Sequence, residues 1–158
     1  MPVYFLSLLT AAALMVVLYF AFYHPTFLGK LRGEEAPQVV FKGHFLSWIS
    51  LYFFAVLICL VLSTIAIHQF GPLGMIGGPQ FASDADPSYH EFMRLYGDAF
   101  RTFKHGALHA FMTSLFFVFP LLLFTKRNHQ LSWRPVIFDA LFWTLSLTVC
   151  GGILSAWY

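Results

Sequence analysis

The sequence predicts an all-α integral membrane protein of four transmembrane helices, with a short amphipathic helix in its second loop. Three observations carry this. Hydrophobic residues make up 59% of the chain and charged residues 10%, against about 45–50% and 25% in an average soluble domain. Four stretches, 3–23, 45–67, 106–124 and 136–158, reach the roughly 20 apolar residues that a spanning helix needs. The first two contain no charge, the third is interrupted by His109 and Pro120, and the fourth contains Asp139. Runs this long and continuous can satisfy their backbone groups in hydrocarbon only as helices. The whole chain, 1–158, therefore reads as one transmembrane domain.

The first run has no Lys or Arg before it and is long enough to span, so it reads as a retained helix and not as a secretory signal. After it, residues 24–44 carry Lys30, Arg32 and Lys42 with helix-breaking Gly29, Gly33 and Pro37. Between the third and fourth runs, residues 125–134 carry Lys126, Arg127 and Arg134. These two loops face the same side and hold six of the nine basic residues, whereas the middle loop holds Arg94, Arg101 and Lys104. The positive-inside rule then places both termini and the 69–104 loop outside the cytoplasm of a cell inner membrane.

That middle loop has two halves. Residues 69–87 hold Gly71, Pro72, Gly74, Gly77, Gly78 and Pro79, which predicts turns. Residues 88–104 place Glu91, Arg94, Asp98, Arg101 and, one step on, His105 at helical spacing opposite Phe92, Tyr96, Ala99 and Phe103, which predicts an amphipathic helix.

Composition also narrows function. A net charge of +2 without a dense basic run gives no footprint for nucleic acid. Cys59 and Cys150 both lie in apolar runs, as small buried residues do. No nucleotide-binding glycine pattern, nucleophile elbow or zinc-finger spacing occurs. Three polar or small-residue features remain.

His105 and His109 share a helix face one turn apart. His68 and Thr64, at the end of the second run, reach the same depth, and Asp98 of the loop lies near enough to cap such a layer. Polar groups at this depth normally face the bundle interior or a watery cavity. The spacing suits a ligand-binding or proton-linked polar layer, and His68, His105 and His109 also suit a transition metal. Asp139 lies a turn inside the fourth run, where the helix dipole favours a carboxylate. Structural pairing with Lys42, His44 or Arg134 is its plain role, and a coupling-ion role is the alternative. Gly106, Ala110 and Ser114 face the same question as Gly151, Gly152 and Ser155: close packing within one chain, or between protomers.

Residues 23–30, Tyr-His-Pro-Thr-Phe-Leu-Gly-Lys, resemble the first-helix exit of a family of small bacterial membrane proteins, the domain-of-unknown-function family 1761. Ser132-Trp133, Asp139-Ala140, Trp143 and the closing Gly152 to Trp157 are similar to that family too, as is the stretch from Phe103 to His109. Tyr23-His24 stands where many members have Trp-Tyr, and Leu28 replaces a Phe before Gly29. The resemblance implies a four-helix membrane fold and a bacterial source, with no established activity and no catalytic residues to carry over.

Two functions stand as expectations. One is a non-enzymatic membrane protein that binds a partner or a small ligand through the outward polar layer, in contact with lipid and with a homo-oligomer or another membrane protein. The other is a metal-dependent membrane enzyme or proton-coupled carrier using His68, His105 and His109.

Overall fold

The computed structural model describes residues 5–33 and 45–157. Four helices in it are long and apolar enough to cross a membrane: Phe5–Tyr23, Phe45–Ala66, Phe103–His129 and Trp133–Ala156. No strand occurs among the described residues. The architecture is the four-span, all-α one that the apolar runs predict.

The first span stops where Pro25 denies a helical conformation to the residue before it. The chain then doubles back through a single helical turn, Gly29–Leu31. Gly29 packs so tightly under the end of the first span that a Cβ there would strike the carbonyl oxygens of Tyr23 and His24. Glycine alone fits that position. Lys42 and His44, two of the partners proposed for Asp139, lie outside the described residues.

The third span begins three residues before the predicted run and ends five residues after it, so its basic end, Lys126, Arg127 and His129, is helical and not loop. Gln130 closes it in a left-handed conformation with φ 52°, its N–H reaching the Lys126 carbonyl. Only residues 130–132 then separate it from the fourth span, and Lys126 lies 4.4 Å over the Trp133 ring across that turn. Midway, residues Ser114–Val118 widen into a π-helical turn, in which the Phe119 N–H reaches back to Ser114. Pro120 supplies the cause. A proline ring inside a helix collides with the carbonyl four residues earlier and offers no N–H, and one extra residue in the turn relieves both.

The fourth span is the central one, with 44% of its apolar window buried against 11% for the third. It packs closest to the third because their small residues meet. A Cβ on Gly106 would strike the Gly151 carbonyl and the Ser155 Cβ, and one on Gly151 would strike Ala110. Ser114 and Thr144 share a hydroxyl hydrogen bond of 2.8 Å one level below. Lipid offers no hydrophobic drive for helices to associate, so such close backbone approach supplies the dispersion contact instead. The two rows of small residues are used within the chain.

Leu8, Ala11, Ala12 and Met15 of the first span and Ala55, Cys59 and Leu62 of the second complete the core around Leu147, Cys150 and Leu154. Both cysteines are free and buried, and the Cys150 thiol donates to the Ala11 carbonyl at 3.3 Å.

The loop between the second and third spans departs from the predicted 88–104 helix. A helix runs only from Pro87 to Tyr96, with the Asp86 carboxylate accepting from the Ser88 N–H. Hydrogen bonds from the Ser88 hydroxyl and from that N–H together hold the Asp86 carboxyl below its usual range. Turns follow through Gly97, and Phe100 takes φ 64°. A new helix starts at Phe103, with the Thr102 hydroxyl accepting from His105 N–H at the N-cap. The charged stripe is therefore broken after Arg94, whose guanidinium pairs with Glu91 at 2.7 Å, both side chains exposed. Asp98, Arg101 and His105 do not continue its face. The periodicity through residue 105 does not make one helix, because it runs across two helices with non-helical turns between them.

Candidate metal centre

The turn at Phe100 sets the geometry of the histidines. Thr102 starts the third span so that His105 and His109 occupy its first two turns on one face. His68 follows the second span directly and is carried to them by Gln69. The Gln69 side chain is buried, and its amide nitrogen donates to the carbonyls of Tyr96 at 2.9 Å and Ala99 at 2.8 Å. One amide thus ties the end of the second span to the end of the loop helix. The Ser155 hydroxyl reaches the Phe100 carbonyl at 3.4 Å and ties the fourth span to the same turn.

The three imidazoles converge. Nε2 of His105 lies 2.8 Å from Nε2 of His68 and 3.0 Å from Nε2 of His109. One ligand atom from each residue falls within 4.8 Å of the other two. Phe100 stacks on His105 at 5.0 Å between ring centres, and its edge meets His68 at 5.8 Å. His105 and His109 are half-buried and His68 is exposed, so the group is walled by protein on one side and open on the other.

Hydrogen bonding alone does not account for this arrangement. A ring nitrogen carries either one proton or one lone pair in the ring plane. Nε2 of His105 can therefore make one well-directed hydrogen bond, yet it faces two other Nε2 atoms at hydrogen-bond distance. A single cation accepting three lone pairs resolves the conflict. Three imidazoles suit Zn²⁺, Cu²⁺, Fe²⁺ or Ni²⁺. Tetrahedral bonds of about 2.0–2.1 Å place ligand nitrogens about 3.3 Å apart; the two separations from His105 lie a few tenths of an ångström short of that, and the His68–His109 pair lies within 4.8 Å. Three protein ligands leave a fourth position open, as in catalytic zinc sites.

The other residues predicted for this layer are not gathered in. Thr64 is exposed and its hydroxyl donates to Val61 in its own helix at 2.7 Å. Asp98 lies exposed in the turn beyond the loop helix and outside the trio. Asp139 belongs to the other end of the bundle. It precedes Gly151, which packs on Gly106, by twelve residues of helix, or about 18 Å at 1.5 Å per residue.

Asp139 instead organises a second, closed polar cluster. Arg32 grips it with two hydrogen bonds, Nε to Oδ1 and Nη2 to Oδ2, both 3.0 Å. The Tyr23 hydroxyl donates to Oδ1 at 2.8 Å. Tyr23, Phe138 and Phe142 pack around the pair. Arg134, one of the partners proposed from the sequence, donates to the Leu31 carbonyl at 2.7 Å instead. The carboxylate's partner is thus Arg32, brought back over the bundle end by the turn at Gly29. This cluster reads as a structural clamp.

Gln69, Phe100 and Arg32 are the residues that sequence reasoning missed. Arg32 stood in plain view as one of three loop cations. Gln69 and Phe100 carry no sequence signal beyond adjacency to polar helix ends. Comparison with known proteins finds no match for this chain among protein families, curated proteins or solved structures.

Proposed function

We propose that this protein is a multi-pass protein of a bacterial inner membrane that holds a divalent transition metal in His68, His105 and His109 on the non-cytoplasmic side. The observation that supports it is the meeting of three Nε2 atoms around His105 at 2.8 and 3.0 Å. Of the two expectations drawn from the sequence, this favours the metal-dependent one. The placement outside the cytoplasm rests on the six-to-three division of basic residues between the two sides. An open fourth position gives the centre Lewis-acid capacity: it can polarise a substrate oxygen or lower the pKa of a bound water.

The test is elemental analysis with native mass spectrometry of protein purified in detergent, before and after chelation and reloading with Zn²⁺ or Co²⁺. One metal per chain is expected in the wild type. Changes beyond the ligands themselves cost about 10–100-fold in metal affinity, so His105→Ala, which removes the shared ligand, should cost at least 100-fold. A wild-type protein that neither retains metal nor takes up either ion after chelation overturns the proposal.

A further inference from the structure

A cavity of about 840 Å³ is formed by a groove between the second and third spans, floored by Trp143 and Leu147 of the fourth. Its upper end is marked by Thr113, one turn below His109 on the same helix face. The lining continues down the third span through Phe117, Leu121 and Thr125. His105, His109, Thr113, Phe117, Leu121 and Thr125 thus form an unbroken row at four-residue intervals. In a regular helix such a row drifts sideways by about 40° per step. The π turn at Ser114–Val118 spends an extra residue, worth about 100° of rotation, and offsets about half of the drift accumulated over the five steps. The same bulge that accommodates Pro120 keeps the metal row and the groove row on one side of the helix.

The groove makes no polar demands. Its two threonines are already satisfied, Thr113 donating to the His109 carbonyl at 2.9 Å and Thr125 to the Leu121 carbonyl at 3.0 Å. All its other lining residues are hydrophobic, and it lies wholly within candidate membrane spans. Its volume falls in the range of about 300–1,000 Å³ typical of small-molecule sites. From His109 to Thr125 is sixteen residues, about 24 Å of helix.

The geometry points to a single-chain amphiphile, a long-chain fatty acid or a lipid with an equally small oxygen-donor head, as the ligand of this protein: the head takes the open metal position and the chain lies in the groove. This rests on the metal reading above and names the substrate class of that centre. A carboxylate oxygen is a suitable fourth ligand for a three-imidazole site. A chain that enters sideways from the bilayer meets only apolar side chains along the groove.

The experiment uses the full-length protein in nanodiscs, loaded with Co²⁺, whose visible absorption reports its coordination sphere, and titrated with palmitate. Val61→Trp and Leu121→Trp fill the groove from opposite walls. Both residues are at least half exposed, so the larger rings fit without disturbing the core. Leu60→Trp, on the lipid-facing side of the second span, is the control. Palmitate should change the Co²⁺ spectrum of wild type and Leu60→Trp alike. The two groove-filled variants should bind Co²⁺ stoichiometrically yet need at least ten times more palmitate. Equal response in all four proteins, or no spectral response in a Co²⁺-loaded wild type, overturns the amphiphile proposal while leaving the metal site standing. Failure of the wild type to bind either Co²⁺ or Zn²⁺ removes the metal reading, and with it this one.

Discussion

Replacing Asp139 with Asn tests whether the clamp at the far end of the bundle is an ion pair or a helix cap. As a cap near a helix N-terminus, Asp139 would lose little on becoming Asn, because the dipole interaction is worth about 0.3–1 kcal/mol. The structure gives a different magnitude. The carboxylate receives two hydrogen bonds from Arg32 and one from Tyr23, and the paired side chains are 15% and 18% exposed. Asn keeps the shape but turns an N–H₂ toward a guanidinium that then has no counter-charge. Breaking a fully buried pair costs about 3–5 kcal/mol, and the residual exposure here argues for the lower end, about 3 kcal/mol. For a chain of this size 1 kcal/mol corresponds to about 2–4 °C, so Asp139→Asn should melt about 6–12 °C below wild type in detergent. Removing the cation as well, in Arg32→Leu with Asp139→Asn, leaves nothing uncompensated and should recover at least half of that loss. Thermal melting followed by circular dichroism on the two single variants and the double one decides it. An Asp139→Asn protein melting within 2 °C of wild type, or a double variant no better than the single, would refute the ion-pair account.

Two further outcomes are expected. Single cysteines at Ser83 and at Asn128, in a background where Cys59 and Cys150 are replaced by Ala, should label oppositely with an impermeant thiol reagent in whole cells, Ser83 from outside and Asn128 only after lysis; identical labelling from outside would contradict the four-span topology. Phe100 holds φ 64°, a conformation that costs a residue with a side chain about 1–2 kcal/mol. Phe100→Gly should therefore melt above Phe100→Ala, while both, lacking the ring over His105, should lose about tenfold in metal affinity measured by competition with a chromophoric chelator; wild-type affinity in both would show the ring to be irrelevant to the centre.

The spans were legible because hydrocarbon imposes one requirement on every residue of a long segment, and the sequence displays it residue by residue. Small-residue packing was legible for a similar reason: Gly106 and Gly151 have few uses in a membrane other than close approach. The histidines could be nominated by their spacing and depth. Their convergence could not, because it depends on the path of the chain between residues 97 and 102. That path contradicts local pattern at two points. The helical period from Glu91 to His105 continues through a stretch that is not helical, and Phe100, a bulky residue, takes a conformation in which glycine is the usual occupant. Arg32 was hidden in the same way, since only the fold-back at Gly29 brings it to Asp139 across 107 positions. Where a sequence breaks its own local rules and the fold retains the cost, the compensation has to come from tertiary contacts. For Phe100 these are the Gln69 amide holding the preceding turn, the Ser155 hydroxyl on its carbonyl and its stack on His105. All three draw the ends of the second and fourth spans toward the start of the third. The strained turn is thus the element that assembles the imidazoles, and the π turn below it is the one that aligns them with the groove. The turn at Phe100 precedes the row from His105 to Thr125 and the π turn lies within it, so both departures from regular backbone bear on the row that the proposed site uses.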